Sequence, residues 1–97
     1  MKIIWSPLSV ERLEEIFGYI SIENHSTAKK FVDKIFSKIE KLTEYPQRGR
    51  KVPEANREEI REVFLGEYKI IYHVEKSKII ILTIRNFKQL PPDEDFK

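Results

Sequence analysis

The chain has no cysteine, one methionine, one tryptophan and only three glycines, Gly18, Gly49 and Gly66, in 97 residues. The lack of cysteine excludes a disulfide framework, a thiolate metal site and a cysteine nucleophile. The hydrophobic core alone must then hold a domain this small together, and the expected compartment is the cytoplasm. The three glycines stand apart, which excludes a glycine loop that cradles phosphate. Long apolar runs are also missing. The longest is four residues, Ile79 to Leu82, and the N-terminus reaches Pro7 after three apolar positions, so neither a signal peptide nor a membrane span is expected. Charge of one sign is scarce as well: 18 basic residues against 16 acidic leave +2. Any surface for a polyanion has to come from placement rather than total charge. The two histidines, His25 and His73, have no metal-ligand spacing, and no serine sits in a Gly-x-Ser-x-Gly context. A hydrolase triad and a transition-metal site are therefore not expected, and Asp93-Glu94-Asp95 lacks the alternating ligands of a calcium loop.

What is present is a composition of 40% hydrophobic and 35% charged residues, that of a soluble globular chain, and the length predicts one domain over 1–97. Lys2 to Trp5 is a strand candidate. Ser6-Pro7 then provides a serine N-cap followed by proline at the first helical position. Val10, Leu13, Ile16, Phe17 and Ile20 recur at three- and four-residue steps and predict a helix over about 7–22. With Ser26 as cap, Ala28, Phe31, Val32, Ile35, Phe36, Ile39 and Leu42 predict a second helix over about 27–44, stopped by Pro46. The short link makes the two an antiparallel hairpin. Residues 45–59 carry two prolines, a glycine and several cations without any period, and read as a basic loop. Residues 60–85 form three β-branched and aromatic runs broken at Gly66-Glu67 and Lys76-Ser77, a three-stranded antiparallel meander. Residues 86–97 read as an extended tail.

The strands are apolar on both faces, but one helical hairpin covers one face only. With Tyr68, Ile70, Tyr72 and Val74 toward the helices, Lys69, Ile71 and His73 point the other way. An uncovered apolar surface that also carries Ile79 and Ile81 is expected there, a seat for a partner segment or for a second copy of the chain. The same sheet carries Arg61, Lys69, Arg85 and, beyond its end, Lys88. Cations gathered in this way suit stabilisation of a phosphoryl transition state, as metal-free RNA cleavage needs. Removing Arg61 and Lys69 is expected to leave the fold intact. A one-residue slip of register would send Arg85 to the opposite face.

Taken in order, Trp5-Ser6-Pro7, Ala28-x-x-Phe31, Leu42 to Glu54 with its Tyr-Pro-Gln-Arg-Gly-Arg core, Arg61-Glu62-Val63 and Gly66-Glu-Tyr68-Lys69-Ile70-Ile71-Tyr72 resemble the RelE/ParE superfamily of toxins from type II toxin-antitoxin modules. The resemblance implies an α+β fold, an N-terminal strand and a helical hairpin packed on a small antiparallel sheet. It implies no cofactor and a cognate antitoxin as partner. Two activities occur in the superfamily. ParE-like members bind DNA gyrase and block it, while RelE-like members cut mRNA in the ribosomal A site. On the ribonuclease pattern Arg61 and Lys69 match two basic sheet positions, Lys69 standing where arginine is common. Asn86 stands where a histidine often lies, with Lys88 two positions on, and no tyrosine follows Tyr72. Those departures, the Pro-x-x-Gly-Arg loop and the Val-Pro-Glu segment favour the ParE-like side. Arg48, Arg50 and Lys51 are then the expected target-binding residues; Arg61, Lys69, Arg85 and Lys88 are the catalytic set of the ribonuclease alternative.

Overall fold

The computed structural model describes residues 1–88. Helix α1, Pro7–Glu23, starts where the Ser6 hydroxyl oxygen accepts the Ser9 amide at 3.0 Å, and Pro7 occupies the first helical position. Ser6 also donates its hydroxyl proton to the Leu82 carbonyl at 2.9 Å, so one side chain both caps the helix and ties it to the sheet. Helix α2 is His25–Leu42. Its cap is Asn24, whose side-chain oxygen accepts from Thr27 at 3.0 Å, rather than Ser26. The Asn24 amide closes α1 on Ile20, so a single residue ends one helix and begins the next. On α2, Ala28, Ile35, Ile39 and Leu42 are buried at i, i+7, i+11 and i+14, the stripe of a helix with one apolar face. Phe36, off that stripe, lies half-exposed with its ring edge-on to Trp5 at 5.6 Å.

The sheet has five strands in the order β1-β5-β4-β3-β2, with β1 Lys2–Trp5, β2 Arg50–Lys51, β3 Ile60–Leu65, β4 Tyr68–Val74 and β5 Lys78–Asn86. The α+β architecture is the expected one, but the sheet is mixed. β1 runs parallel to β5, Ile3 opposite Ile79 and Trp5 opposite Ile81. The expected basic loop differs too, since it contains a 3₁₀ turn, Pro46–Arg48, and then β2, which pairs with β3. Gly66 turns the β3–β4 hairpin at φ +59°, a left-handed conformation in which a Cβ is strained.

The helices cover one face of the sheet. Val63, Ile70, Tyr72, Ile79, Ile81 and Ile84 meet Ile35, Ile39 and Leu42 in the main core, with Ile3, Trp5, Tyr68 and Val74 at its margin. Each such aliphatic side chain contributes about 1.5–3 kcal/mol through removal from water. In β5 the pairing skips a residue: Ile71 faces Thr83, Tyr72 faces Ile81, and Leu82 is left over as a bulge. The bulge reverses the alternation. Ile79 and Ile81 therefore point toward the helices, while Thr83 and Arg85 lie on the far face beside Ile71 and Lys69.

The expectation of an open apolar face carrying Ile71, Ile79 and Ile81 is corrected here. Ile79 and Ile81 are fully buried beneath the helices. Ile71 is fully buried on the other side, where the segment after β2 folds back and packs Val52 and Ala55 against Ile60, Ile71 and Leu82. His73 is on that face but partly buried, its Nδ1 3.3 Å from Glu75 Oε2. Of the expected tail, residues 89–97, including Asp93-Glu94-Asp95, lie outside the described residues.

Candidate functional site

The four cations of the sheet do not form one cluster. Strand alternation places Arg61 on the helix side of β3, with Val63 and Leu65, and its Nη1 donates to the Gly49 carbonyl at 2.8 Å. Lys69 is on the opposite face, opposite Arg85 in the β4–β5 register. Both are buried, and Lys69 Nζ stands 3.3 Å from Glu62 Oε1. Glu62 has no exposed side-chain surface, and its other oxygen accepts from Arg50 Nε. Lys88 lies outside this group, exposed and 3.7 Å from Glu67. Asn86 is engaged as well, since its side-chain oxygen accepts the Lys88 amide at 2.9 Å. Only Lys69 and Arg85 of the four are brought together, as buried cross-strand neighbours, with Glu62 against Lys69.

Residues 46–51 are arranged in the contrary sense, with a buried foundation and an exposed charged rim. The foundation is the Tyr72 hydroxyl. It donates to the Pro46 carbonyl at 2.9 Å and accepts the Gly49 amide at 2.9 Å, while Arg61 holds the Gly49 carbonyl. Burial raises the Tyr72 phenol above its ordinary pKa, opposed more weakly by the Gly49 amide and by Arg61. Gly49 has an ordinary backbone conformation, φ −70°. It is glycine because a Cβ would lie within 3.0 Å of the Tyr72 hydroxyl, the Tyr72 ring and the Glu62 carbonyl.

From this base Arg48, Arg50 and Lys51 all reach solvent. Arg50 is anchored, though its side chain remains 63% exposed: besides Glu62 it lies over the Phe64 ring, 5.2 Å from the centroid, and Phe64 in turn meets Phe87 edge-on at 5.6 Å. Lys51 is loosely paired, 3.9 Å from Glu58. Arg48 makes no ion pair among the described residues and borders a shallow depression with Glu44, Tyr45, Pro46 and Gln47. Such a rim can meet an anionic surface, Arg48 and Arg50 with planar forks of donors and Lys51 with a point charge, beside a Gly49 backbone held from within the fold. Among the described residues no group of three or more His, Asp or Glu side chains converges as a metal site. No helix among them is long and apolar enough to cross a membrane.

The sequence pointed to the rim but not to its foundation. The spacing marks Tyr72 only as a core residue, yet a buried tyrosine needs a partner for its hydroxyl, and that requirement is the available signal.

Residues 3–91 match the family model for the ParE toxin of the type II toxin-antitoxin system parDE. The chain belongs to the ParE toxin family. Among relatives of this ParE-family chain is "Putative toxin Y4kP" of Sinorhizobium fredii, 28% identical over 92 residues, which span 93% of each protein. A solved structure described as the chromosomal ParDE TA system from P. aeruginosa has the same fold, with TM-score 0.72 and 21% identity. The match covers 89% of this chain and 95% of that one.

Proposed function

We propose that this ParE-family toxin arrests growth by binding DNA gyrase in the cytoplasm, without catalysis of its own, and that a cognate antitoxin neutralises it. One observation carries the reading. The cations that a ribonuclease would converge on a phosphate are divided between the two faces of the sheet and engaged inside the fold, whereas Arg48, Arg50 and Lys51 are exposed within one short edge segment, on either side of a Gly49 held by Tyr72 and Arg61. Arg61 donates to the Gly49 carbonyl and Lys69 stands against the buried Glu62 carboxylate, so both are engaged within the fold rather than presented to a phosphate. Membership of the ParE family supports the same branch, as does the ParDE description of the solved structure.

The test is a supercoiling assay with purified gyrase and the purified chain, run beside cell-free translation of a defined message. Loss of supercoiling with uncut message supports the proposal. Ribosome-dependent cuts in the message with supercoiling intact would replace it by the ribonuclease reading, with Lys69 and Arg85 as the first residues to mutate.

A further inference from the structure

We propose that Tyr72 is a positioning residue of the target-binding loop, and that Arg48 is the side chain it positions. The inference rests on the gyrase-binding reading and adds to it which residue makes the contact and what holds that residue in place. The loop meets its target through an anionic surface that Arg48 engages by charge and by its planar fork of donors.

Three observations converge on this assignment. First, the Tyr72 hydroxyl is bonded on both sides of Arg48, to the carbonyl of Pro46, two residues before it, and to the amide of Gly49, the residue after it. Two backbone groups three residues apart are held by one atom fixed in the middle of the sheet, and the 3₁₀ turn between them is closed by the Arg48 amide on Tyr45 at 3.0 Å. Second, Arg61 clamps the other end of Gly49, through its carbonyl, so both polar groups of that residue are fixed from within the fold. Third, the cations of the loop are unequal. Arg50 is committed to Glu62 and Phe64, and Lys51 stands near Glu58, while Arg48 has neither a carboxylate nor a ring partner among the described residues. A side chain without an internal partner gains most from an external one, and a braced backbone lowers the entropy lost when it binds.

Tyr72→Phe removes the hydroxyl and keeps the ring. The Gly49 amide then loses its acceptor, and its hydrogen-exchange rate is expected to rise about tenfold or more. The half-inhibitory concentration in the supercoiling assay is expected to rise about tenfold, toward that of Arg48→Ala. A protein weakened only in stability behaves differently: Ile70→Val trims the same core on the same strand, lowers the melting temperature by a comparable amount and leaves inhibition unchanged. Arg61→Met removes the other tether without touching the ring and serves if Tyr72→Phe does not fold; it predicts the same selective loss. Inhibition by folded Tyr72→Phe and Arg61→Met equal to wild type, with Arg48→Ala impaired, overturns the positioning role and leaves the gyrase reading standing. Inhibition unaffected by Arg48→Ala overturns the contact assignment. A wild-type chain that never inhibits gyrase removes the reading itself and this inference with it.

Discussion

Glu62 and Lys69 form a 3.3 Å ion pair between adjacent strands on the face away from the helices, with Glu62 wholly buried and Lys69 9% exposed. Removing one partner of a buried pair typically costs about 3–5 kcal/mol when the other charge is left alone, and removing both for apolar groups of similar volume is often neutral. Because Glu62 keeps Arg50 when Lys69 is lost, Lys69→Ala is expected to destabilise the chain by less than that, about 2 kcal/mol in urea unfolding, and Lys69→Met with Glu62→Leu to recover most of that loss. Equal instability of the single and double variants would show that the pair does not act as a unit. Arg61 and Lys69 are each bonded inside the fold, so the variant lacking both, expected to keep the fold intact, is also expected to be less stable than wild type.

Ser6 joins two elements by one hydroxyl, as acceptor for the Ser9 amide and donor to the Leu82 carbonyl. Ser6→Ala loses the helix cap, about 1 kcal/mol, and a hydrogen bond to the sheet of similar size. A loss of about 2 kcal/mol is expected, read as a lower urea midpoint at unchanged slope. Ser6→Gly is expected to lose only about half as much, since glycine substitutes for the cap but not for the bond to Leu82. A Gly variant as stable as wild type would mean that the Leu82 bond contributes nothing.

Burial holds the Tyr72 phenol above its ordinary value of 10.0. In the unfolded chain it ionises near 10. Between that value and the higher folded one, the native state keeps a proton that the unfolded state has released. The contribution of this group to stability is thus complete below pH 10 and declines as pH rises through the folded pKa, by up to about 1.4 kcal/mol per pH unit. Urea midpoints at pH 9 and 10.5 are expected to fall less for Tyr72→Phe than for wild type. Identical falls would place the phenol in solvent.

Much of the fold was legible because it is local. The 3.6-residue spacing from Leu13 to Ile20 and from Ala28 to Leu42 marks two helices, and the proline after Ser6 fixes where the first begins. The direction of β1 was not legible: Lys2 to Trp5 carries the same alternation whether its neighbour runs parallel or antiparallel, and the chain between them decides. Nor was the bulge at Leu82, since Ile79-Ile80-Ile81-Leu82 offers an apolar side chain to both faces in any register. That single extra residue moves Ile81 to the helix side and Arg85 to the other. The choice of Asn24 over Ser26 as cap rests on two good candidates two residues apart. Of the site, the exposed cations Arg48, Arg50 and Lys51 were legible from composition. The bonds joining Tyr72 and Arg61 to Gly49 span 23 and 12 residues, and no local pattern carries them.

The most direct measurement titrates wild type and the Arg48→Glu/Lys51→Glu double variant, both with Glu62 and Tyr72 untouched, in a gyrase supercoiling assay at low and moderate salt. The account predicts inhibition by wild type that weakens with salt, and at least a tenfold loss in the charge-reversed variant with its melting temperature unchanged. Undiminished inhibition by the reversed variant, or none by wild type at any salt, would contradict it.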